Sequence, residues 1–333
     1  MQKKKFIKDI KEGEQIRELF LVAGKAQLTS NAGKAYLSLQ LRDRTGTIEA
    51  RVWDRAEEIG KRFQRDDIVE ASGSAISYQG RVQLKIHDVR RDEGPKELSE
   101  YLPVSRKGIE QLWELLRGYV ADVGDTDYKR LLAAVFLDPD AATMAERFCR
   151  APGGKTMHHD YVGGLLEHTV SVVGVCRFLS SHYDGVNADL LITGALLHDL
   201  GKVNELSYEG AFDYTDEGRL LGHIYIGTEF VEKICGSLSG FPLEKEMLVK
   251  HMILSHHGEL EYGSPKRPKT IEAVLLHFAE NMDAKVTAFN DAIEELPEGI
   301  RWTDYQRMFE RHLFSGKFPC GETVKAPSGQ GKE

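Results

Sequence analysis

The sequence has few cysteines and no long apolar run. Its four cysteines are Cys149, Cys176, Cys235 and Cys320. They are far apart and form no C-x-x-C pair, which indicates reduced thiols in a cytoplasmic protein rather than a disulfide framework. No apolar run approaches the roughly 18 residues that cross a bilayer, so no transmembrane helix is expected. The basic residues 3–5 are followed by no apolar signal core, and export is therefore not expected.

The sequence also lacks a uniform excess of one charge. The net charge of −8 at pH 7 would by itself argue against a nucleic-acid partner. The distribution is uneven, because residues 1–95 hold 19 Lys and Arg against 15 Asp and Glu, whereas the rest of the chain holds 25 against 37. The N-terminal third is therefore a mildly basic module attached to an acidic body. An acidic body suits an enzyme whose bound cations offset carboxylate charge.

A period-two pattern of apolar residues begins near residue 20 and predicts five strands. We expect them over 20–27, 35–42, 47–54, 68–78 and 81–89. Leu37, Leu39 and Leu41 would point inward from the second strand. A short helix over 56–63 would lie between the third and fourth strands. This order is typical of a small OB-type β-barrel.

The outward face of the barrel interleaves aromatic and basic side chains. Its candidate nucleic-acid-binding residues are Tyr36, Gln40, Arg42, Arg51, Trp53, Arg81 and Lys85. Each of them alone could be a solvated surface residue, but together they suit base stacking and phosphate contact. The run from Gly33 to Asp54 resembles the OB-fold nucleic-acid-binding domains, and the resemblance implies single-stranded RNA or DNA as a partner. OB barrels also bind sugars and proteins.

Helical spacing replaces the strand pattern after the Gly94-Pro95 boundary. Three lead-in helices are followed by five longer ones, which we expect over 163–181, 188–200, 222–238, 243–257 and 270–293. Gly201 is a plausible C-cap of the second of these five. Before the first of the five helices lies the loop Ala151-Pro152-Gly153-Gly154-Lys155. We expect it to be a turn rather than a phosphate-binding loop, because the G-x-x-x-x-G-K spacing is absent.

Metal-ligand residue types recur on these five helices. The candidates are His168, His198, Asp199, His223, His256, His257 and Asp283. Each has an ordinary alternative: His168 could be a hydrogen-bonded core residue, and Asp283 could be an exposed partner of Lys285 or Lys250. Packing explains the whole set poorly, since imidazole and carboxylate groups are good ligands for divalent metals and poor core residues.

The charge of Asp199 is the least ordinary feature of the set. A histidine at a helix C-terminus is favourable, whereas a carboxylate there is unfavourable unless a cation holds it. Lys202 could supply that cation or could contact a substrate phosphate. Two adjacent histidines, His158 and His159, could also contact a substrate phosphate, or could cap and pack against the next helix.

The order H…HD…H…HH…D resembles the HD superfamily of metal-dependent phosphohydrolases. The resemblance implies a first metal held by His168, His198, Asp199 and Asp283. It implies a second metal held by His223, His256 and His257, with Asp199 bridging the two. Mixed imidazole and carboxylate donors suit Mn²⁺, Co²⁺, Fe²⁺ or Ni²⁺, and of these we expect Mn²⁺. Lys202 and His159 would add positive charge beside the phosphate oxygens.

The chain as a whole resembles the YhaM-type 3′→5′ exoribonucleases. The stretches 163–169 and 255–265 carry this resemblance most strongly. It implies stepwise hydrolysis of single-stranded RNA, and of single-stranded DNA as a further candidate substrate, to nucleoside 5′-monophosphates. Nothing in the residues alone indicates polarity or exonucleolytic action.

Two other functions remain open. A cyclic-dinucleotide phosphodiesterase would use a similar centre, but that subfamily follows its histidine pair with Gly-Tyr-Pro, whereas this chain reads Tyr262-Gly263-Ser264-Pro265. A non-catalytic single-strand-binding replication factor would need no ligands, and all seven are intact. The expected domains are a barrel over 1–92, lead-in helices over 93–160, an HD body over 161–318 and a disordered tail over 319–333.

Overall fold

A computed structural model gives the fold for residues 3–30, 33–78, 80–94, 100–102, 105, 107–154, 161–207, 212–294, 296 and 299–316. The chain divides into two compact units, Met1–Glu280 and Asn281–Glu333. The first unit contains the barrel and nearly all of the helical body. The predicted tail over 319–333 lies outside the described residues.

Five strands close into the predicted barrel. They are β1 (Gln15–Thr29), β2 (Ala35–Asp43), β3 (Gly46–Val52), β4 (Ile68–Tyr78) and β5 (Arg81–Arg91), with α1 (Ala56–Gly60) between β3 and β4. The strand order is β1-β2-β3-β5-β4, and only the β3–β5 pairing in this barrel is parallel. Leu37, Leu39 and Leu41 are buried inside it, as their alternation predicts. The OB-type fold is confirmed.

The first strand begins five residues earlier than the predicted start at Phe20. Residues 15–21 pair with β4, and residues 21–29 pair with β2, with an irregularity between Val22 and Gly24. Residues 15–18 alternate in burial, but the buried residue at position 18 is the polar Glu18, and from Leu19 to Val22 every residue is buried, so no apolar alternation marks the start of the strand. A strand that is covered on both faces reads as a continuous apolar run.

The outer face of β1 is covered by apolar residues from outside the barrel. Leu19 and Leu21 form a small core with Tyr101, Leu102 and Phe212, separate from the core inside the barrel. The backbone N–H of Arg44 also donates to the carbonyl of Glu100, over 3.1 Å. The barrel is therefore packed against the connecting segment and against the helical body, and is not joined to them by a free linker alone.

The helical body begins with three lead-in helices, as predicted, and continues with longer ones. They are α2 (Ile109–Asp122), α3 (Thr126–Phe136), α4 (Ala142–Arg150), α5 (Gly164–His182), α6 (Ala188–Leu197), α7 (Lys202–Glu205), α8 (Asp216–Ser237), α9 (Leu243–Ser255) and α10 (Ile271–Glu294). A two-stranded ribbon, β6 (Leu206–Ser207) and β7 (Asp213–Tyr214), lies between α7 and α8. Every residue of α6 from Leu190 to Leu197 is buried, so α6 is the central helix of the core.

The prediction that Gly201 is a C-cap is wrong. Its backbone is right-handed, with φ −63° and ψ −19°, and it stands at the start of α7. A Cβ atom at this position would lie 2.0 Å from the carbonyl oxygen of His223. Glycine is needed here because two backbone segments approach each other closely. The left-handed glycine in this region is Gly222, with φ 76°, which breaks α8 immediately before His223.

The second unit continues α10 from Asn281 and then forms a short antiparallel turn. Trp302 bridges to Phe314, and Gln306 bridges to Arg311. No helix of the described chain is both long enough and apolar enough to be a membrane-span candidate.

Candidate metal centre and nucleic-acid-binding face

Six of the seven predicted metal ligands converge in the first unit. They form two groups, His168 with His198 and Asp199, and His223 with His256 and His257. Within each group the candidate ligand atoms all lie within 4.8 Å of one another. The residues come from α5, from the turn between α6 and α7, from α8, and from the end of α9. Elements up to 90 residues apart in the chain thus meet at one place.

Asp199 faces both groups at once. Its Oδ2 lies 3.5 Å from Nε2 of His168 and 3.4 Å from Nε2 of His198. Its Oδ1 lies 3.4 Å from Nε2 of His223 and 3.6 Å from Nε2 of His256. One carboxylate therefore offers one oxygen to each group of histidines, which is the arrangement that a bridging ligand requires.

Four of the histidine rings are held by hydrogen bonds from Nδ1. His198 donates to the carbonyl of Ala195 (2.8 Å), His256 to that of Ile253 (2.7 Å) and His257 to that of Tyr262 (3.0 Å). The ring of His223 donates instead to the Glu205 carboxylate (3.1 Å). A proton on Nδ1 leaves the Nε2 lone pair free to bind a metal, and such partners orient metal-binding histidines in general.

The ends of α6 and α9 explain two of these contacts. His198 and His256 are the C-cap residues of the two helices. The last carbonyls of a helix have no partner within the helix, so a ring N–H three residues further along can bind one of them. The two helix ends therefore orient His198 and His256 in the same way.

Several buried ligand atoms have no hydrogen-bond partner among the described residues. They are Oδ1 of Asp199, Nε2 of His223 and Nε2 of His256. Leaving such groups unsatisfied costs about 1–3 kcal/mol each. Nitrogen and oxygen donors in this mixture are suited to divalent transition metals. The residues present therefore fit a metal centre.

The protonation states of His256, His257 and Asp199 suit the same role. Burial lowers the pKa of His256 well below its usual range, and burial together with His223 lowers that of His257 to about 4. Both rings are therefore neutral at pH 7. Burial alone would raise the pKa of Asp199, but the Lys202 ammonium and the His198 ring hold it well below its usual value. Asp199 is thus ionised despite being buried.

Lys202 supplies the positive charge that a carboxylate at the C-terminal end of a helix requires. Its Nζ lies 2.7 Å from Oδ2 of Asp199 and donates to the carbonyl of Gly153 over 2.8 Å. Of the two roles expected for Lys202, the structure contains the contact with Asp199. The glycine-rich turn contributes a carbonyl acceptor to this arrangement, which its sequence did not indicate.

Glu205 was missed by the sequence reasoning. It is buried, and burial would raise its pKa, but hydrogen bonds from His223 hold that pKa below its usual value. A single glutamate at the end of a short helix carries no motif of its own. The one available signal was its position three residues after Lys202, which is the spacing of one helical turn.

Two predicted site residues have no described place in the centre. Asp283 lies in α10 within the second unit, and its role as a ligand stays a prediction. His159 and its neighbour His158 lie outside the described residues, so the role of His159 also stays a prediction.

The barrel face brings four of its predicted residues together. Tyr36 and Trp53 stack with ring centroids 4.6 Å apart and planes inclined by 24°. Arg51 donates to the Tyr36 hydroxyl over 3.2 Å, and Arg51 pairs in register with the exposed Lys85 on β5. An aromatic pair beside two cations is a suitable surface for a base and a phosphate.

The other predicted face residues are spread further along the strands. Gln40 and Arg42 lie four and six residues beyond Tyr36 on β2, so Arg42 is about 20 Å away. Arg81 begins β5. The sequence reasoning overlooked Glu49, whose carboxylate accepts from Gln83 over 2.7 Å and lies 3.5 Å from Arg51. This acidic group reduces the positive charge at that end of the face.

Comparison with known proteins places both regions in described families. Residues 165–285 match the model of the HD domain, and residues 20–91 match that of the OB-fold nucleic acid binding domain. The chain is 35% identical over 289 residues to a protein of Geobacillus sp. (strain WCH70) named 3′-5′ exoribonuclease YhaM. This match covers 86% of the chain and 87% of that protein.

Two solved structures are also similar to this chain. One is the second OB-fold domain of replication protein A from Methanococcus maripaludis, with 20% identity, coverage of 27% of this chain and 96% of that one, and a TM-score of 0.22. The other is asparaginyl-tRNA synthetase from Pyrococcus horikoshii, with 18% identity, coverage of 37% and 34%, and a TM-score of 0.24.

Proposed function

The chain belongs to the family of 3′-5′ exoribonuclease YhaM, and on this basis we propose that it removes nucleotides from the 3′ end of single-stranded RNA as 5′-monophosphates. It is a metal-dependent hydrolase of phosphodiester bonds. Single-stranded DNA is a further candidate substrate. A cytoplasmic location is part of the proposal, supported by Cys149, Cys176 and Cys235, which are free thiols within the part of the chain that the structure describes.

The observation that carries the proposal is the division of Asp199 between two groups of histidines. It supports a centre of two metal ions, with His168 and His198 on one side and His223, His256 and His257 on the other. Asp283 stays a predicted seventh ligand, which the family resemblance assigns to the metal of His168 and His198. Mn²⁺ is the ion that we propose, because nitrogen and oxygen donors without thiolates suit it, although Co²⁺, Fe²⁺ and Ni²⁺ accept the same donors.

The chain's own residues have distinct tasks in this reaction. Divalent cations, when bound at such a centre, activate water and offset the negative charge of a phosphodiester. The anchored rings present Nε2 without prior rearrangement, which lowers the cost of binding. Lys202 keeps Asp199 ionised and oriented through its 2.7 Å contact, and we propose that its positive charge also offsets that of a phosphate in the substrate.

The barrel supplies the nucleic-acid contacts in this proposal. The Tyr36–Trp53 pair would stack on a base, and Arg51 and Lys85 would contact the backbone. Stacking is tolerant of sequence because every base has a π-face, so we propose that the enzyme degrades RNA with little sequence preference.

The test is hydrolysis of one RNA labelled either at its 3′ end or at its 5′ end, with Mn²⁺ added to chelator-treated protein. We expect the 3′ label to leave at once as a mononucleotide, while the 5′ label remains on progressively shorter products. Asp199→Ala should abolish both reactions. The matched control is Asp216→Ala, which removes an exposed aspartate from the first turn of α8 and should leave the rate unchanged.

Three outcomes would contradict the proposal in different ways. Full activity of Asp199→Ala would show that the centre is not the site of hydrolysis. Immediate release of the 5′ label would reverse the polarity. Hydrolysis of a cyclic dinucleotide without any hydrolysis of RNA would favour the phosphodiesterase alternative.

A further inference from the structure

A buried carboxylate stands directly behind one of the histidines of the second group. Oε1 of Glu205 accepts two hydrogen bonds from His223, one from its backbone N–H (2.9 Å) and one from Nδ1 of its ring (3.1 Å). We propose that Glu205 is a positioning residue that sets the affinity of the second metal, the one held by His223, His256 and His257. This inference rests on the proposed function, because it presupposes a two-metal centre.

The contact differs in kind from those of the other anchored rings. His198, His256 and His257 donate to main-chain carbonyls, whereas His223 donates to an ionised side chain. A hydrogen bond to a charged acceptor is stronger than one to a neutral acceptor, and it makes the ring a more basic ligand. Glu205 therefore fixes the tautomer of His223 and strengthens Nε2 as a donor.

The charge of Glu205 also matters to the second group. That group consists of three imidazoles, and the carboxylate oxygen beside the Nε2 atoms of His223 and His256 is Oδ1 of Asp199, whose other oxygen faces the first group. Without Glu205, the charge of a divalent cation bound by the second group would be balanced by one carboxylate that is shared with the first group. Glu205 contributes a further negative charge one ring away, buried to 8% exposure, where screening by water is weak.

The fold holds Glu205 firmly in this position. The carbonyl of Glu205 accepts from the backbone N–H of Thr215 over 2.9 Å. A Cβ at Gly218 would lie 2.2 Å from that same carbonyl, so α8 approaches it as closely as glycine permits. The break at Gly222 then turns the N–H of His223 toward the carboxylate. Gly201 contacts the carbonyl of His223 from the other end of α7. The short helix α7 thus holds His223 at both of its ends.

The test is a calorimetric titration of the chelator-treated full chain with Mn²⁺, in the absence of RNA. The wild type should bind two ions. In Glu205→Ala the affinity of one ion should fall about 10- to 100-fold, which is the usual effect of removing such a partner, while the other ion binds nearly as before. Glu205→Gln keeps an acceptor oxygen but loses the charge, and it should show a smaller loss at the same ion.

The matched control is Glu272→Ala. Glu272 is also 8% exposed, and its Oε1 accepts from the backbone N–H of Asn187 over 2.8 Å, so its removal also deletes a buried carboxylate from the helical body. It should destabilise the metal-free protein without changing either affinity. If Glu205→Ala does not fold, Glu205→Gln decides: a weaker second ion supports the inference, and two unchanged ions overturn it.

The remaining outcomes separate this inference from the proposed function. Two unchanged affinities in Glu205→Ala overturn the role of Glu205 alone. An equal loss of one ion in Glu272→Ala overturns it as well, because the effect would then be structural. A wild type that binds a single ion overturns the two-metal centre and the inference together. A wild type that binds two ions but does not hydrolyse RNA overturns the proposed function and leaves the role of Glu205 standing.

Discussion

Gly201→Ala should destabilise the protein and weaken metal binding together. The backbone of Gly201 is right-handed, so alanine itself would be tolerated and would by itself stabilise the chain by about 0.4–1 kcal/mol. The added Cβ would however lie 2.0 Å from the carbonyl oxygen of His223 and 2.7 Å from the backbone nitrogen of Gly227. Ordinary contact begins at 3.4 Å. Because these neighbours are backbone atoms, no side-chain rotation can relieve the clash.

The expected cost is at the upper end of the range for overpacking, about 3 kcal/mol. At about 2–4 °C per kcal/mol this corresponds to a fall in Tm of about 6–12 °C. Relief of the clash requires α7 and α8 to separate, which displaces His223 from Asp199. Differential scanning calorimetry of the chelator-treated protein measures the first effect, and titration with Mn²⁺ measures the second.

The matched control is Gly118→Ala in α2. Gly118 is exposed, and a Cβ there would have no neighbour within 4 Å. Alanine should therefore raise stability by about 0.5–1 kcal/mol, through its better helix propensity. A Gly201→Ala protein that melts with the wild type and binds Mn²⁺ equally well would refute the close contact between α7 and His223.

Two further predictions concern other parts of the chain. Trp53→Ala should weaken binding of single-stranded RNA by about 1–3 kcal/mol, or about 5- to 150-fold in Kd, as measured by fluorescence anisotropy. Hydrolysis of bis(p-nitrophenyl) phosphate should be unchanged. The control Tyr78→Ala removes an exposed aromatic from β4 and should bind RNA as the wild type does. Lys245→Met should cost about 1 kcal/mol at pH 7, because Lys245 contacts Asp125 and Asp127 in a half-exposed cluster. Burial would raise the pKa of Asp125, but its contacts with Lys245 lower that pKa below the usual value of 3.8. The stability that Asp125 contributes is therefore present above pH 3.8 and is lost as the pH falls below that value. Urea unfolding should therefore show a larger difference between the wild type and Lys245→Met at pH 7 than at pH 3.

Local patterns were sufficient for most of the fold. Period-two alternation in residues such as Leu37, Leu39 and Leu41 indicates one buried face, and the barrel order follows from the number and spacing of such strands. Residues 15–19 of β1 were not predicted, because the buried residue at position 18 is the polar Glu18 and because two-sided burial from Leu19 onward removes the alternation. Leu19 and Leu21 are covered by Tyr101, Leu102 and Phe212, which are distant in sequence.

The residue types of the metal ligands could also be predicted from the sequence. Histidines and an aspartate at helix ends, in His198-Asp199 and His256-His257, are residues with a chemical preference that does not depend on their neighbours. The grouping of these ligands into two sets was implied only by resemblance to a family. The distances now give it a geometric basis, because Oδ1 and Oδ2 of Asp199 face different histidines.

The sequence by itself therefore determined the barrel, the helices and the donor atoms, because each depends on residue chemistry within a few positions. Tertiary structure decided which atoms meet. It gave Lys202 a carbonyl from Gly153, placed Glu205 behind His223, and made Gly201 a point of contact between helices instead of a helix cap. These are pairings across 18 to 49 positions that no local pattern records. The contacts of Glu205 and Gly201 with His223 exist because α7 and α8 pack closely, and that of Lys202 exists because the turn after α4 lies beside the start of α7.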